Sequence, residues 1–235
     1  LKYVCIVALV ISLIALVAVV AYVLINGVDK LSLDLLFGDY KDTPSILPAF
    51  IGTLQLVGIA AMSAVPIGVA SAIFLVEYTN NKGKFVKIVQ VATETLAGIP
   101  SIVYGLFGYL IFVVTFGWGY SMLAGGITLA IMILPTIVRS TQESLISVQS
   151  GLREGAYALG TSKVRTIFKI VLPSAAGGIV TAIILAIGRV VSESAVLILT
   201  SGMVVNKVPE TLMSPGTSLA LDIYYFASHG YPDEA

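Results

Sequence analysis

The sequence predicts an all-α, polytopic membrane protein, and three observations carry that reading. Apolar residues make up 57% of the chain and charged residues 11%, whereas a soluble domain is about 25% charged. Mean hydropathy is +1.00. Several runs are long enough for a membrane helix, which needs about 20 mostly apolar residues.

The first run, Val4–Ile25, carries no charge. It exceeds the roughly 7–15-residue apolar region of a signal peptide, and no A-x-A site follows, so it reads as a retained span. In order, the spans fall at about 4–25, 50–76, 89–116, 120–138 and 170–200. A loop at 139–169 and a polar tail at 201–235 complete a single transmembrane domain. Pro66, Pro100 and Pro135 lie inside apolar runs; membrane helices tolerate such breaks where neighbours satisfy the freed carbonyls. The single cysteine, Cys5, has no partner for a disulfide and reads as a small hydrophobe. The lone His229 sits in the tail without a second ligand nearby and reads as a solvated loop histidine, so no metal site is expected.

Charge sets the expected orientation. Lys2, Lys82, Lys84, Lys87, Arg139, Arg153, Lys163, Arg165 and Lys169 fall on one side of the span order, and Lys30, Lys41 and Lys207 on the other. The positive-inside rule places the first set in the cytoplasm. The N-terminus and the 139–169 loop are then cytoplasmic and the tail is external.

Within the loop, Gly160 suits the positive φ of a turn that follows a helix, and Ser162 is a plausible N-cap. Val164, Ile167, Phe168 and Val171 then recur at helical spacing as one apolar face. An amphipathic helix lying on the membrane surface would show the same pattern.

Charges inside apolar runs are expensive and usually face a cavity or a partner. Arg189 and Glu193 are four residues apart and can pair on one helical face. They read either as a self-neutralising structural tie or as an arginine that contacts an anion, positioned by the glutamate. A guanidinium fork suits tetrahedral oxyanions, and Ser192 and Ser194 add hydroxyls nearby. Glu94 reads as a pathway carboxylate or as a solvated one at a helix start, where the dipole favours it. Gly98, Gly105 and Gly108, with Ser101, permit close helix approach.

The segment EGAYALGTSKVRTIFKIVLP, Glu154–Pro173, resembles the EAA loop of ABC-importer permeases. Glu154, Ala156, Gly160, Ile170, Leu172 and Pro173 fall at the signature's spacing, while Gly155 stands where the pattern has alanine. The resemblance implies a type I importer permease fold. It also implies a cytoplasmic helix-turn-helix that docks on a separate ATPase. Such permeases commonly have six spans, so the sixth is expected to be missing from this chain or replaced. The chain has no G-x-x-x-x-G-K-[ST] phosphate loop, so no cofactor is expected on it, and ATP and magnesium belong to the partner.

ETLAGIPSIVYGLFG at Glu94–Gly108 and GIVTAIILAIGRVVSESAVLILTSG at Gly178–Gly202 resemble spans three and five of the phosphate-specific (Pst) importer permeases, with Ser192 in place of a usual glycine. SLALDIYYFAS at Ser218–Ser228 favours the A-type subunit over the C-type. The family implies a non-enzymatic subunit of a prokaryotic inner membrane. Its partners would be a C-type permease, two ATPase subunits and an external phosphate-binding protein, with no nucleic acid. The alternatives are an importer of another oxyanion (molybdate or sulfate), an ATP-independent channel or secondary transporter, and a purely structural membrane subunit.

Overall fold

The computed structural model describes residues 2–28, 35, 38, 45–79 and 83–229. It divides into two compact units, residues 1–47 and 48–235. The described residues are overwhelmingly helical and include no strand.

The first unit contains α1, Lys2–Val28. Its most apolar window has a mean hydropathy of 3.3, and at about 1.5 Å per residue its 27 residues exceed a hydrocarbon core of about 30 Å. Its few polar side chains bond to their own helix: Ser12 Oγ donates to the Ala8 carbonyl at 2.9 Å and Asn26 Nδ2 to that of Tyr22 at 2.7 Å. This removes their cost in an apolar setting.

The second unit is built around α5, Met122–Ile146. Met122, Leu129, Met132, Ile133 and Ile137 are at most 1% exposed. They pack with Leu56, Ala60 and Ala64 of α2 (Leu47–Ile73), with Ala186 and Val190 of α8 (Leu172–Val191) and with Val196 and Leu197 of α9 (Ala195–Thr200). Pro66 and Pro135 both lie inside continuous helices. Past Ile73, α2 continues through wide π-helical turns over Phe74–Tyr78.

Among the described residues four helices are long and apolar enough to cross a membrane: Lys2–Val28, Leu47–Tyr78, Met122–Ile146 and Lys163–Val191. The expected third span, 89–116, is a broken one. α3 (Lys84–Ala97) and α4 (Ser101–Gly108, continuing to Thr115) meet at 97°. Pro100 cannot donate to the preceding turn and keeps Ile99 out of the helical region, and Gly98 ends α3. The expected fifth span, 170–200, is also broken, because α8 stops at Val191 and α9 begins at Ala195.

The fourth span runs to Ile146 rather than to 138. The loop expected at 139–169 is therefore shorter. It consists of α6 (Ser150–Ala158), a turn, and α7 (Lys163–Thr166), which runs through a π-helical segment at Ile167–Val171 directly into α8.

The tail after Thr200 is folded, unlike the polar segment expected. The carbonyls of Ser214 and Leu212 accept from Met122 N at 3.0 Å and Leu123 N at 2.8 Å, satisfying first-turn donors of α5 that no helical carbonyl can reach. Thr217, Ser218 and Leu221 are buried, Leu221 within the main core. A final helix, α10 (Leu219–His229), starts where Leu219 N bonds Thr53 Oγ1 at 3.0 Å. His229 therefore lies in a helix rather than in a loop.

Candidate functional site

The two broken spans meet. Gly105 of α4 sits so close to α9 that a Cβ there would come 3.0 Å from Val196 Cα and 3.2 Å from the Ala195 carbonyl oxygen. A side chain there would press on the backbone of α9, and glycine permits the close approach. Irregular backbone at membrane depth persists only where protein buries it or where it lines a water-filled cavity. Two facing breaks are thus the feature of this chain that best fits a path for a polar solute.

Arg189 stands at this junction. It is half-buried, in the last turn of α8, where the carbonyl end of the helix favours a cation, and its charge reaches the Tyr104 phenol. Among the described residues no carboxylate pairs with it. This corrects the expected Arg189–Glu193 pair. The helix that would have put them on one face ends at Val191, and the Glu193 carboxylate instead accepts from Ala195 N at 3.1 Å and Val196 N at 3.4 Å. Glu193 therefore caps α9. The Ser192 hydroxyl is engaged too, donating to the Arg189 carbonyl at 3.1 Å.

Glu94 is also placed differently. It lies in the last turn of α3, not at a helix start, where the dipole disfavours a carboxylate. Arg139 of α5 compensates. It pairs with Glu94 and, through Nε, with Glu143 at 3.1 Å. All three side chains are about half exposed or more, so this network contributes little to stability. It borders an open pocket of ≈ 300 Å³ lined by Thr93, Glu94, Ala97, Pro135, Thr136, Arg139 and Ser140.

The second region is the loop. Gly160 has φ +76°, as the turn requires. Ser162 Oγ accepts from Arg165 N at 3.4 Å and caps α7. Thr161 Oγ1 closes the turn by donating to the Ala156 carbonyl at 2.7 Å. Ala156 is buried, whereas Glu154, Gly155 and Gly160 are exposed. Ile170 and Leu172 are half-buried and Pro173 is exposed on α8. The predicted apolar face of the second arm splits. Ile167 and Val171 are buried, while Val164 and Phe168 are exposed because the π-helical turns shift the side-chain register. Leu152, Tyr157 and Leu159 are exposed as well, which leaves an apolar surface around the turn.

Sequence reasoning missed Arg153. Its guanidinium donates to Glu77 Oε1 at 2.9 and 3.2 Å and to the Leu145 and Val148 carbonyls at 2.8 Å each. The pair is largely buried, with 19% of the arginine side chain exposed and 6% of the glutamate. Removing one partner of such a pair costs about 3–5 kcal/mol. The residues are 76 apart in sequence, so no local pattern could have joined them.

An all-helical membrane unit with facing broken spans and an exposed helix-turn-helix between α5 and α8 has the architecture of a transport permease. Residues 64–225 match the family described as binding-protein-dependent transport system inner membrane component, and the chain belongs to that family, as a multi-pass inner-membrane protein. It is 31% identical over 230 residues to the probable ABC transporter permease protein YqgI of Bacillus subtilis, covering 92% of this chain and 78% of that one. It is 32% identical to the phosphate transport system permease protein PstA of Haemophilus influenzae, covering 88% and 74%. It is 42% identical to PstA 1 of Mycobacterium tuberculosis over 154 residues, 66% of this chain and half of that one. The fold is similar to an inward-facing structure of the MetNI methionine ABC transporter, with a TM-score of 0.61 at 20% identity over 78% of this chain and 80% of that one. The ABC-importer permease fold expected from the sequence is thereby established.

Proposed function

We propose that this chain is the A-type permease subunit of an ATP-driven importer and forms, with a C-type permease, the path for inorganic phosphate. The observation that carries the reading is Arg189. It is a half-buried cation beside two facing helix breaks, with no carboxylate partner among the described residues, and so keeps its donors for an anion. Relatives named as phosphate transport permeases support the choice of anion. Glu193 would act on the path through the start of α9, and Glu94 through its pairing with Arg139.

The exposed Glu154–Gly160 segment and the apolar side chains around it would seat on an ATPase subunit, two copies serving the permease pair. ATP and magnesium would be held there and not by this chain. An external binding protein would deliver the phosphate. The N-terminus and the loop would be cytoplasmic and the tail external. Cysteines replacing Lys84 and Lys207 in a Cys5→Ser background would then label from opposite faces, and labelling from one face would sink this orientation.

The deciding experiment is uptake by the purified complex in proteoliposomes, with ATP inside and loaded binding protein outside. Labelled phosphate should accumulate only with ATP, and molybdate and sulfate should compete poorly. Uptake without ATP, or preference for either competitor, would overturn the proposal.

A further inference from the structure

Both arms of the loop are fastened to two consecutive residues of α2. Arg153, in the first arm, holds Glu77. Lys163, the first residue of α7, places its ammonium 4.8 Å from the centroid of the Tyr78 ring, within cation–π range. Glu77 and Tyr78 end the π-helical turns of α2. The same guanidinium also takes the Leu145 and Val148 carbonyls at the end of α5, so one side chain joins the loop to two membrane helices. Ala72, Leu145, Val148, Val171 and Ala175 form a buried apolar cluster drawn from α2, the end of α5 and the residues just past it, the π-helical segment and α8.

Among the described residues no other hydrogen bond or ion pair of a side chain in α6, the turn or α7 reaches α2 or α5, although Ala156 and Ile167 are buried. Glu154 is exposed, and a Cβ on Gly155 or Gly160 would meet nothing within 4 Å. Force applied at the exposed turn reaches α8 along the continuous backbone of α7, and its polar links to α2 and α5 are those of Arg153 and Lys163. A lysine could not replace Arg153, since its single ammonium cannot span one carboxylate and two carbonyls as the planar fork does.

From this arrangement we infer that Glu77 and Arg153 are positioning residues for ATP-driven transport. They form a closed joint that passes movement of the docked loop to α2 and α5, with Lys163 on Tyr78 as its second fastening. The inference rests on the docking reading above.

The test uses the full complex of both permeases, ATPase and binding protein in proteoliposomes and reads phosphate taken up per ATP hydrolysed. Glu77→Gln and Arg153→Lys should each lower that ratio roughly tenfold, within the range of energetic coupling between sites. Tyr78→Leu, at a half-exposed position where folding is not at stake, should lower it in the same direction. A Glu77→Cys/Arg153→Cys pair in a Cys5→Ser background should be uncoupled until a short bifunctional thiol linker is added to the purified complex, which should restore the ratio. Recovery in a complex already folded and assembled would not come from a repaired folding defect. A wild-type ratio in Arg153→Lys and Tyr78→Leu, or no recovery with the linker, would overturn the joint and leave the docking reading standing. A wild-type complex that fails to hold the ATPase, or takes up phosphate without ATP, would overturn both.

Discussion

The Tyr104 hydroxyl donates a 2.8 Å hydrogen bond to the Leu96 carbonyl, across the elbow where α3 and α4 turn by 97°. Leu96 lies in the last turn of α3, where its carbonyl also accepts from Ile99 N at 3.1 Å. Tyr104 is 7% exposed and belongs to the main core, so the bond fixes the angle of the break from a rigid base. Tyr104→Phe keeps the ring and removes the bond. It should lower stability by about 1 kcal/mol, between the averages for membrane and soluble hydrogen bonds. Thermal unfolding in detergent would show the loss, and an unchanged midpoint would mean the elbow is held by packing alone.

The turn between α6 and α7 offers a separation of space from backbone conformation. A side chain at Gly160 would meet nothing within 4 Å, but the residue has φ +76°. Gly160→Ala should therefore cost about 1–2 kcal/mol for the left-handed backbone, and should lower the uptake obtained per ATP. Gly160→Asn should be milder, because asparagine tolerates that region. Gly155 is helical and equally open, so Gly155→Ala should preserve coupling and gain up to about 1 kcal/mol of helix propensity. Equal defects at the two glycines would refute a conformational role for Gly160.

Apolar length made α1, α2 and α5 legible in the sequence, and the spacing from Glu154 to Pro173 located the loop, its turn at Gly160 and its cap at Ser162. The break at Gly98–Pro100 was half legible, since a proline there announces a weak point but not a 97° turn. The break at Ser192–Ser194 was not, because no proline or glycine marks it. It is set by tertiary structure, by the close seat of α9 on Gly105 and by the tail that follows. Reading through that break produced the mistaken Arg189–Glu193 pair. Glu77–Arg153 and Glu94–Arg139 span 76 and 45 residues, and no local period encodes them. The tail looked polar because composition does not show that its buried hydroxyls bond within the tail, Thr217 to Asp222 and Ser218 to Leu221 N, or that its backbone bonds to α2 and α5.

Asp222 of α10 gives a pH dependence with a defined sign. Burial pushes its carboxyl up to about 6 from the ordinary 3.8, opposed by the hydrogen bond it accepts from Thr217. A raised folded value means that the folded state binds the proton more tightly than the unfolded one. Stability from this group is full below about pH 4 and is lost as pH rises through about 6. Asp222→Asn keeps an acceptor for Thr217 and cannot ionise. It should raise the unfolding midpoint at pH 8 and leave it near wild type at pH 4. An asparagine variant that gained more at pH 4 than at pH 8 would show the sign to be wrong.

Arg189 and Glu193 make the sharpest separation of roles, because the structure uncouples them. The guanidinium has no carboxylate partner among the described residues, whereas the Glu193 carboxylate is taken by backbone donors of α9. If Arg189 contacts the anion with its planar fork, Arg189→Lys should assemble normally and lose roughly ten- to hundredfold in uptake, equivalent to one charge-assisted hydrogen bond of about 1.5–3 kcal/mol. Arg189→Ala is a poor test, since any role for the cation predicts a loss. Glu193→Gln keeps an acceptor for Ala195 N and Val196 N and should retain most of the uptake. Glu193→Ala removes the cap, which is worth about 1 kcal/mol, and should release the start of α9 from Gly105. A glutamate that served to hold the guanidinium would give the opposite pattern, with glutamine as damaging as alanine. Normal uptake by Arg189→Lys would end the direct-contact role and leave Arg189 as the cation that closes the carbonyl end of α8.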